Sequence, residues 1–215
     1  MVSQRSRADY PTNVTQKRVP GMVKRSARFS GEILDNEMYL IYVDESGNTG
    51  PNLDDPQQPM QLLAGVFVPE HEWMAGYEDL RTTVRRAREA CRSKGVMLRE
   101  MHAADMYHGT RDFRSIPKQV REDLICDAMR VLARRRLSVV YACAIKPAIR
   151  SRWPGYDRDP GADLWRELIG ECSGYLNKIG PDSRALLIAD ESHLKWFAKY
   201  NIRDVEMKSW SPDRR

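Results

Sequence analysis

The feature that most constrains this chain is a strand that runs straight into acid. "YLIYVDESGNTG", Tyr39 to Gly50, begins with five β-branched, aromatic or aliphatic residues suited to a buried strand, then meets Asp44 and Glu45 and a glycine-punctuated turn. The pattern recurs far downstream, where "RALLIADES" carries a short apolar strand into Asp190 and Glu191. Two strands that end in carboxylates bring them to one crevice if they are parallel sheet neighbours, because ligands gather outside strand carboxyl ends.

The segments between supply the rest of a layered fold. Gln61 to Val68 reads as a second strand, joined to the first by the exposed loop "PNLDDPQQP". Trp73, Tyr77, Leu80, Val84, Ala87 and Cys91 recur in steps of three and four, which predicts a helix packed on the sheet and closed by Gly95. After the irregular "LREMHAADMYHGTRDF", Val120, Leu124, Ala128 and Val131 predict a second helix, and Arg134, Arg135 and Arg136 suit its negative end. "LSVVYACAI", Leu137 to Ile145, reads as a strand buried on both faces. Asp163 opens a third helix with Leu164, Leu168 and Cys172 on one stripe, stopped by Gly180-Pro181. The order β-β-α-α-β-α-β predicts an α/β fold with a mixed sheet flanked by helices, in a single domain over 37–215.

Residues 1–36 scatter Arg5, Arg7, Lys17, Arg18, Lys24, Arg25 and Arg28 among Ser, Thr, Pro and Gly and read as a flexible basic arm. Its alternatives are a phosphate-binding tether or a plain solvated leader. With 35 basic and 30 acidic residues, the charge of +5 allows a polyanionic partner without demanding one. Cys91, Cys126, Cys143 and Cys172 lack zinc or redox spacing and read as buried free thiols of a reducing cytoplasm. No apolar run nears the ~20 residues that cross a bilayer, and the chain starts without a secretory signal.

Carboxylates forced together repel one another, so a cluster stays ionised when a cation sits among them. Oxygen-only clusters select hard ions, and Mg²⁺ or Mn²⁺ held by carboxylates is suited to in-line attack on a phosphodiester. Between the acidic pairs, "REMHAADMYH" offers Glu100 and His102 as a third ligand and a proton shuttle, with Asp105 and His108 more suited to capping a turn. His193 is a second shuttle candidate, whereas His71 marks a helix start. Gly47 and Gly50 allow either an anion-facing turn or an ordinary hairpin turn. "DESGNTG" also has the Asp-x-x-Gly-x-Thr form of haloacid-dehalogenase-type phosphatases, a reading that leaves Glu100 and His102 without a task.

The order of motifs, an apolar strand into "DESGNTG", a "LLAGVFV" strand, "REMH" and a late "LLIADES", resembles the DUF3800 family of bacteria, phages and mobile elements. The resemblance runs from Met38 onward and implies an RNase H-like fold with a metal-dependent nuclease centre acting on nucleic acid. It further implies Asp44, Glu100 and Asp190 as metal ligands, with Glu45, His102 and Glu191 supporting ligands or moving protons. The family continues past a segment like "VEMKSWSP" into a helix bearing a last Asp; Asp213, between Pro212 and two arginines, does not match it. A nucleic-acid- or protein-binding module of the same fold is the alternative, and a homo-oligomer is allowed. No aromatic spacing marks a base-stacking platform, so the sequence leaves RNA and DNA, and single strand and hybrid, undistinguished.

Overall fold

The computed structural model describes residues 37–180 and 182–189, together with the backbone of 22–27. Their strands are β1 (Met22–Ala27), β2 (Met38–Ser46), β3 (Met60–Pro69), β4 (Ser138–Ile145) and β5 (Arg184–Ala189). The helices are α1 (Glu70–Arg92), α2 (Ala103–His108), α3 (Lys118–Arg134), α4 (Lys146–Arg152) and α5 (Gly161–Ile179). The five strands form one sheet in the order β1-β4-β3-β2-β5. Pairings β1–β4, β4–β3 and β3–β2 are antiparallel, and β5 alone lies parallel to its neighbour β2. The sheet is therefore mixed, as the element order predicts. Within the stretch read as a basic arm, β1 instead pairs along β4 with Met22 opposite Ala144.

The two faces of the sheet are unequal. Tyr39, Ile41 and Val43 of β2, Leu63 and Phe67 of β3, and Val140, Ala142 and Ala144 of β4 point to one side. There they meet Leu164, Trp165, Leu168, Ile169, Cys172 and Leu176 of α5. Burying each Leu-sized side chain stabilises the fold by about 1.5–3 kcal/mol relative to exposure, so this layer holds the molecule together. On the opposite face Val68 of β3 and Cys143 of β4 are buried, Val139, Tyr141 and Ile145 are half-buried, and Tyr42 and Leu186 of β5 are exposed. β4 is thus fully covered on its α5 side only, where the continuous apolar run predicts burial on both.

A second apolar cluster lies apart from the sheet. Ala87 and Cys91 of α1 pack with Met106 of α2, Leu124 of α3, and Phe113 and Ile116 between them. Only the C-terminal half of the apolar stripe on α1 is engaged this way, while Trp73, Met74, Tyr77 and Leu80 stay exposed. The helix read as lying on the sheet in fact leaves it for α3, and Arg135 ties the two through Asp79 and Glu72. Two short helices, α2 and α4, arise where the sequence shows no sustained period; six or seven residues are too few to display one. Of the four thiols read as buried, Cys126 of α3 is exposed and does not meet that expectation.

The candidate acidic site

Asp44 and Glu45 sit in the last turn of the pleat before β2 ends. Alternation places Asp44 on the open face with Tyr42, opposite Ala64 of β3, and Glu45 on the α5 side opposite Leu63. Oδ1 of Asp44 accepts from the Glu45 amide at 2.8 Å, and Oε1 of Glu45 accepts from Nδ2 of Asn48 at 3.1 Å. Asn48 Oδ1 in turn accepts the Gly50 amide at 2.9 Å, an Asx-type turn. The acidic pair is therefore continuous with a folded turn.

A side chain from another element fastens that turn. Lys146, the first residue of α4 and fully buried, donates from Nζ to the Gly47 carbonyl at 2.8 Å and to Thr49 Oγ1 at 2.6 Å. Thr49 passes the bond on, donating to Asn52 O at 2.9 Å. Burial pulls the Lys146 ammonium below its ordinary value, with Asp55 and Asp159 acting in the other direction. Sequence reading missed Lys146, whose signal is faint: a charged residue directly after eight strand residues and before Pro147. It does not act as a partner for Asp44, the role the phosphatase reading would require of a lysine.

The other predicted residues occupy a separate cleft. Glu100 and His102 line a cavity of about 350 Å³ with Arg99, Asp105, Arg111 and Asp112. His102 Nδ1 lies 3.4 Å from Asp105 Oδ2, and Thr110 donates its hydroxyl to Asp105 Oδ1 at 2.6 Å. The Thr110 hydroxyl, then Arg111 and His102, hold the Asp105 carboxyl below its ordinary range. Asp105 thus ties the turn, as its position suggests, and at the same time faces His102. His108 is exposed, with its ring edge-on to Tyr107. His71 pairs with Glu37 at the start of α1.

Among the described residues, no three His, Cys, Asp or Glu side chains gather closely enough to hold a metal ion. Asp190, Glu191 and His193 lie outside the described residues. The donor chemistry of Asp44 and Glu45 suits Mg²⁺ or Mn²⁺, yet two carboxylates are an incomplete set. The position in the sequence of the acidic pair after β5 is telling. β5 runs parallel to β2 with Leu40 opposite Leu186 and Val43 opposite Ala189, so Asp44 and Asp190 are each the next residue after the last described pair. Of the arginines at the end of α3, Arg135 bonds Asp79 at 3.0 Å and Glu72 at 3.2 Å.

No family model, curated protein or solved structure matches the chain. No described helix is long and apolar enough to cross a membrane.

Proposed function

We propose that the chain is a divalent-metal-dependent nuclease of RNase H-like fold, the reading its likeness to the DUF3800 family implies. The observation that carries it is the register of β5 on β2, two adjacent parallel strands paired up to Val43 and Ala189, each followed in the sequence by an acidic pair. The strand order supports it too: an antiparallel run β2-β3-β4, then α5 crossing to a strand parallel to β2 on its far side.

Asp44 and Asp190 would hold Mg²⁺ or Mn²⁺, and Glu45 and Glu191 would orient those ligands; Glu100, which the resemblance implies as a third ligand, lines the separate cleft and is not brought to Asp44. The ion supplies Lewis acidity and charge neutralisation at a phosphodiester. Lys146 holds the turn that follows Asp44 and Glu45; His102, which the resemblance implies as a proton carrier, faces Asp105 in the separate cleft and would serve Asp44 only if the substrate spanned both. The cleft of Glu100 and His102 favours a second reading, a nucleic-acid-binding module without cleavage, because these two residues line a cavity shared with Asp105 and Asp112 and not with Asp44.

The test is a panel of labelled RNA, DNA and hybrid substrates with Mg²⁺, Mn²⁺ or EDTA, comparing wild type with Asp44→Asn. The nuclease reading expects metal-dependent cleavage and at least a hundredfold loss in Asp44→Asn with the fold unchanged. Asp44→Asn cutting as fast as wild type, or no substrate cut with either metal, would overturn it.

A further inference from the structure

The open face of the sheet carries an aromatic group that the spacing of the sequence conceals. Tyr42 precedes Asp44 by two residues, so the two side chains leave β2 on the same side, about 7 Å apart along the strand. Trp73, 31 positions later on α1, donates its indole N–H to the Tyr42 hydroxyl at 2.7 Å. One helical turn on, Tyr77 stacks on Trp73 with ring centroids 6.0 Å apart and planes 15° from parallel. Despite these contacts the three rings remain 38%, 37% and 51% exposed. A hydrogen bond that ties the indole to Tyr42 and a ring stacked on it make an ordered, solvent-exposed aromatic group.

Charge along α1 changes sign just beyond that surface. From Glu70 to Leu80 the helix carries Glu70, Glu72, Glu78 and Asp79 and no lysine or arginine. From Arg81 to Arg92 it carries Arg81, Arg85, Arg86, Arg88 and Arg92 against Glu89 alone. Arg81 and Arg88 follow Tyr77 on the same side of the helix, at steps of four and eleven, and both are exposed. Arg86 pairs with Asp127 of α3 and Arg81 with Glu78.

We propose that Tyr42, Trp73 and Tyr77 form a base-stacking platform that selects single-stranded nucleic acid and leads it to Asp44. The occupant follows from the pairing of flat aromatic faces with a row of arginines: bases stack on the rings while phosphates meet the guanidinium groups. A duplex keeps its base faces covered and cannot use the rings. The proposal rests on the nucleic-acid reading above for its ligand and adds the strandedness that the reading lacks.

Binding is measured by fluorescence anisotropy in EDTA, so that cleavage plays no part. The probes are labelled single-stranded pyrimidine DNA and RNA and a duplex of equal length, against the full chain. Tyr77→Ala removes an exposed ring at a helix position that alanine suits, and it should weaken single-strand binding about tenfold while leaving the duplex and the far-ultraviolet circular dichroism unchanged. Tyr77→Phe keeps the ring and should bind as wild type. Equal single-strand binding by Tyr77→Ala overturns the platform, as does a wild-type dimer that Tyr77→Ala converts to monomer, since a second copy would then cover these rings. Loss of metal-dependent cleavage as a property of the protein, with single-strand binding still dependent on Tyr77, leaves the platform standing and defeats the nuclease reading. Cleavage retained with Tyr77 indifferent does the reverse.

Discussion

Gly47 and Gly50 flank the same short turn, both at positive φ, +77° and +62°, yet they should respond very differently to a methyl group. A Cβ at Gly50 meets only Asp159 Oδ2, at 3.8 Å, an ordinary contact. The cost of Gly50→Ala is then the left-handed backbone alone, about 1–2 kcal/mol, reduced by about 0.4–1 kcal/mol because the unfolded chain also loses freedom. A net loss of about 1 kcal/mol is expected. At Gly47 the added carbon falls 2.0 Å from the carbonyl oxygen of Met60, where 3.4 Å is the start of ordinary contact. Nothing flexible can yield, because Met60 opens β3 and Gln61 is paired to Ala144 of β4. The turn must move by more than an ångström instead, and the 2.8 Å bond from Lys146 to the Gly47 carbonyl goes with it, a charge-assisted contact of about 1.5–3 kcal/mol. Gly47→Ala should therefore cost at least about 3 kcal/mol. In urea unfolding followed by circular dichroism, with a slope of about 2 kcal/mol per molar, Gly47→Ala moves the midpoint by roughly 1.5 M and Gly50→Ala by roughly 0.5 M. Equal midpoints for the two variants would refute the claim that β3 crowds this turn.

Other consequences follow from buried groups. Lys146→Met removes an ammonium whose two hydrogen bonds are opposed by the cost of burying it, so global stability should change by no more than about 2 kcal/mol while amide exchange in the 47–50 turn accelerates. Because burial lowers the Lys146 value from 10.5, the unfolded chain binds the proton that the folded chain has lost, and this group adds stability as pH rises through the window just below 10.5. This rising contribution should be absent from Lys146→Met, and a pH profile identical to the wild type's would refute the assignment. Burial, with Glu171 adding to it, pushes the Cys172 thiol up to about 12 from 9.0, so this contribution is complete below pH 9 and is lost as pH rises toward 12. With Cys91, Cys143 and Cys172 buried and Cys126 exposed, a thiol reagent at mildly alkaline pH should label Cys126 quickly and the others only on unfolding; fast labelling of two or more thiols in the folded protein counts against the core described.

The strands and long helices were legible because each carries its own period: β2, β3 and β4 as apolar runs, α5 as a stripe from Leu164 to Leu176. Partnership was not. The stripe from Trp73 to Cys91 fixes a helix but not what it packs on, and the structure divides it between exposed rings and a cluster with α2 and α3. Lys146 escaped notice because its partners lie 97 and 99 positions earlier, and lysines are mostly exposed. Tyr42 and Trp73 were invisible as a pair for the same reason. The acidic motifs were legible as motifs, and the structure adds what composition cannot hold, that β5 lies parallel to β2 with Val43 opposite Ala189, the residue before Asp190 in the sequence.

On the nuclease reading, strand alternation decides which side of the sheet a substrate would use. Val43 and Ala189 both pack toward α5, so the residue after Val43 turns away from that helix, and Asp44 is exposed opposite Ala64. Glu45, one residue on, returns to the α5 side, where Asn48 and the turn engage it. If Asp44 acts on a substrate as proposed, that substrate would come over the face that α5 does not cover. That same face bears Tyr42, braced by Trp73 of α1, and it is bordered by the helix whose second half carries five arginines. The closed layer supplies stability and the open one supplies access. Burying the open face under a helix like α5 would stabilise the sheet and at once seal Asp44 from any polymer.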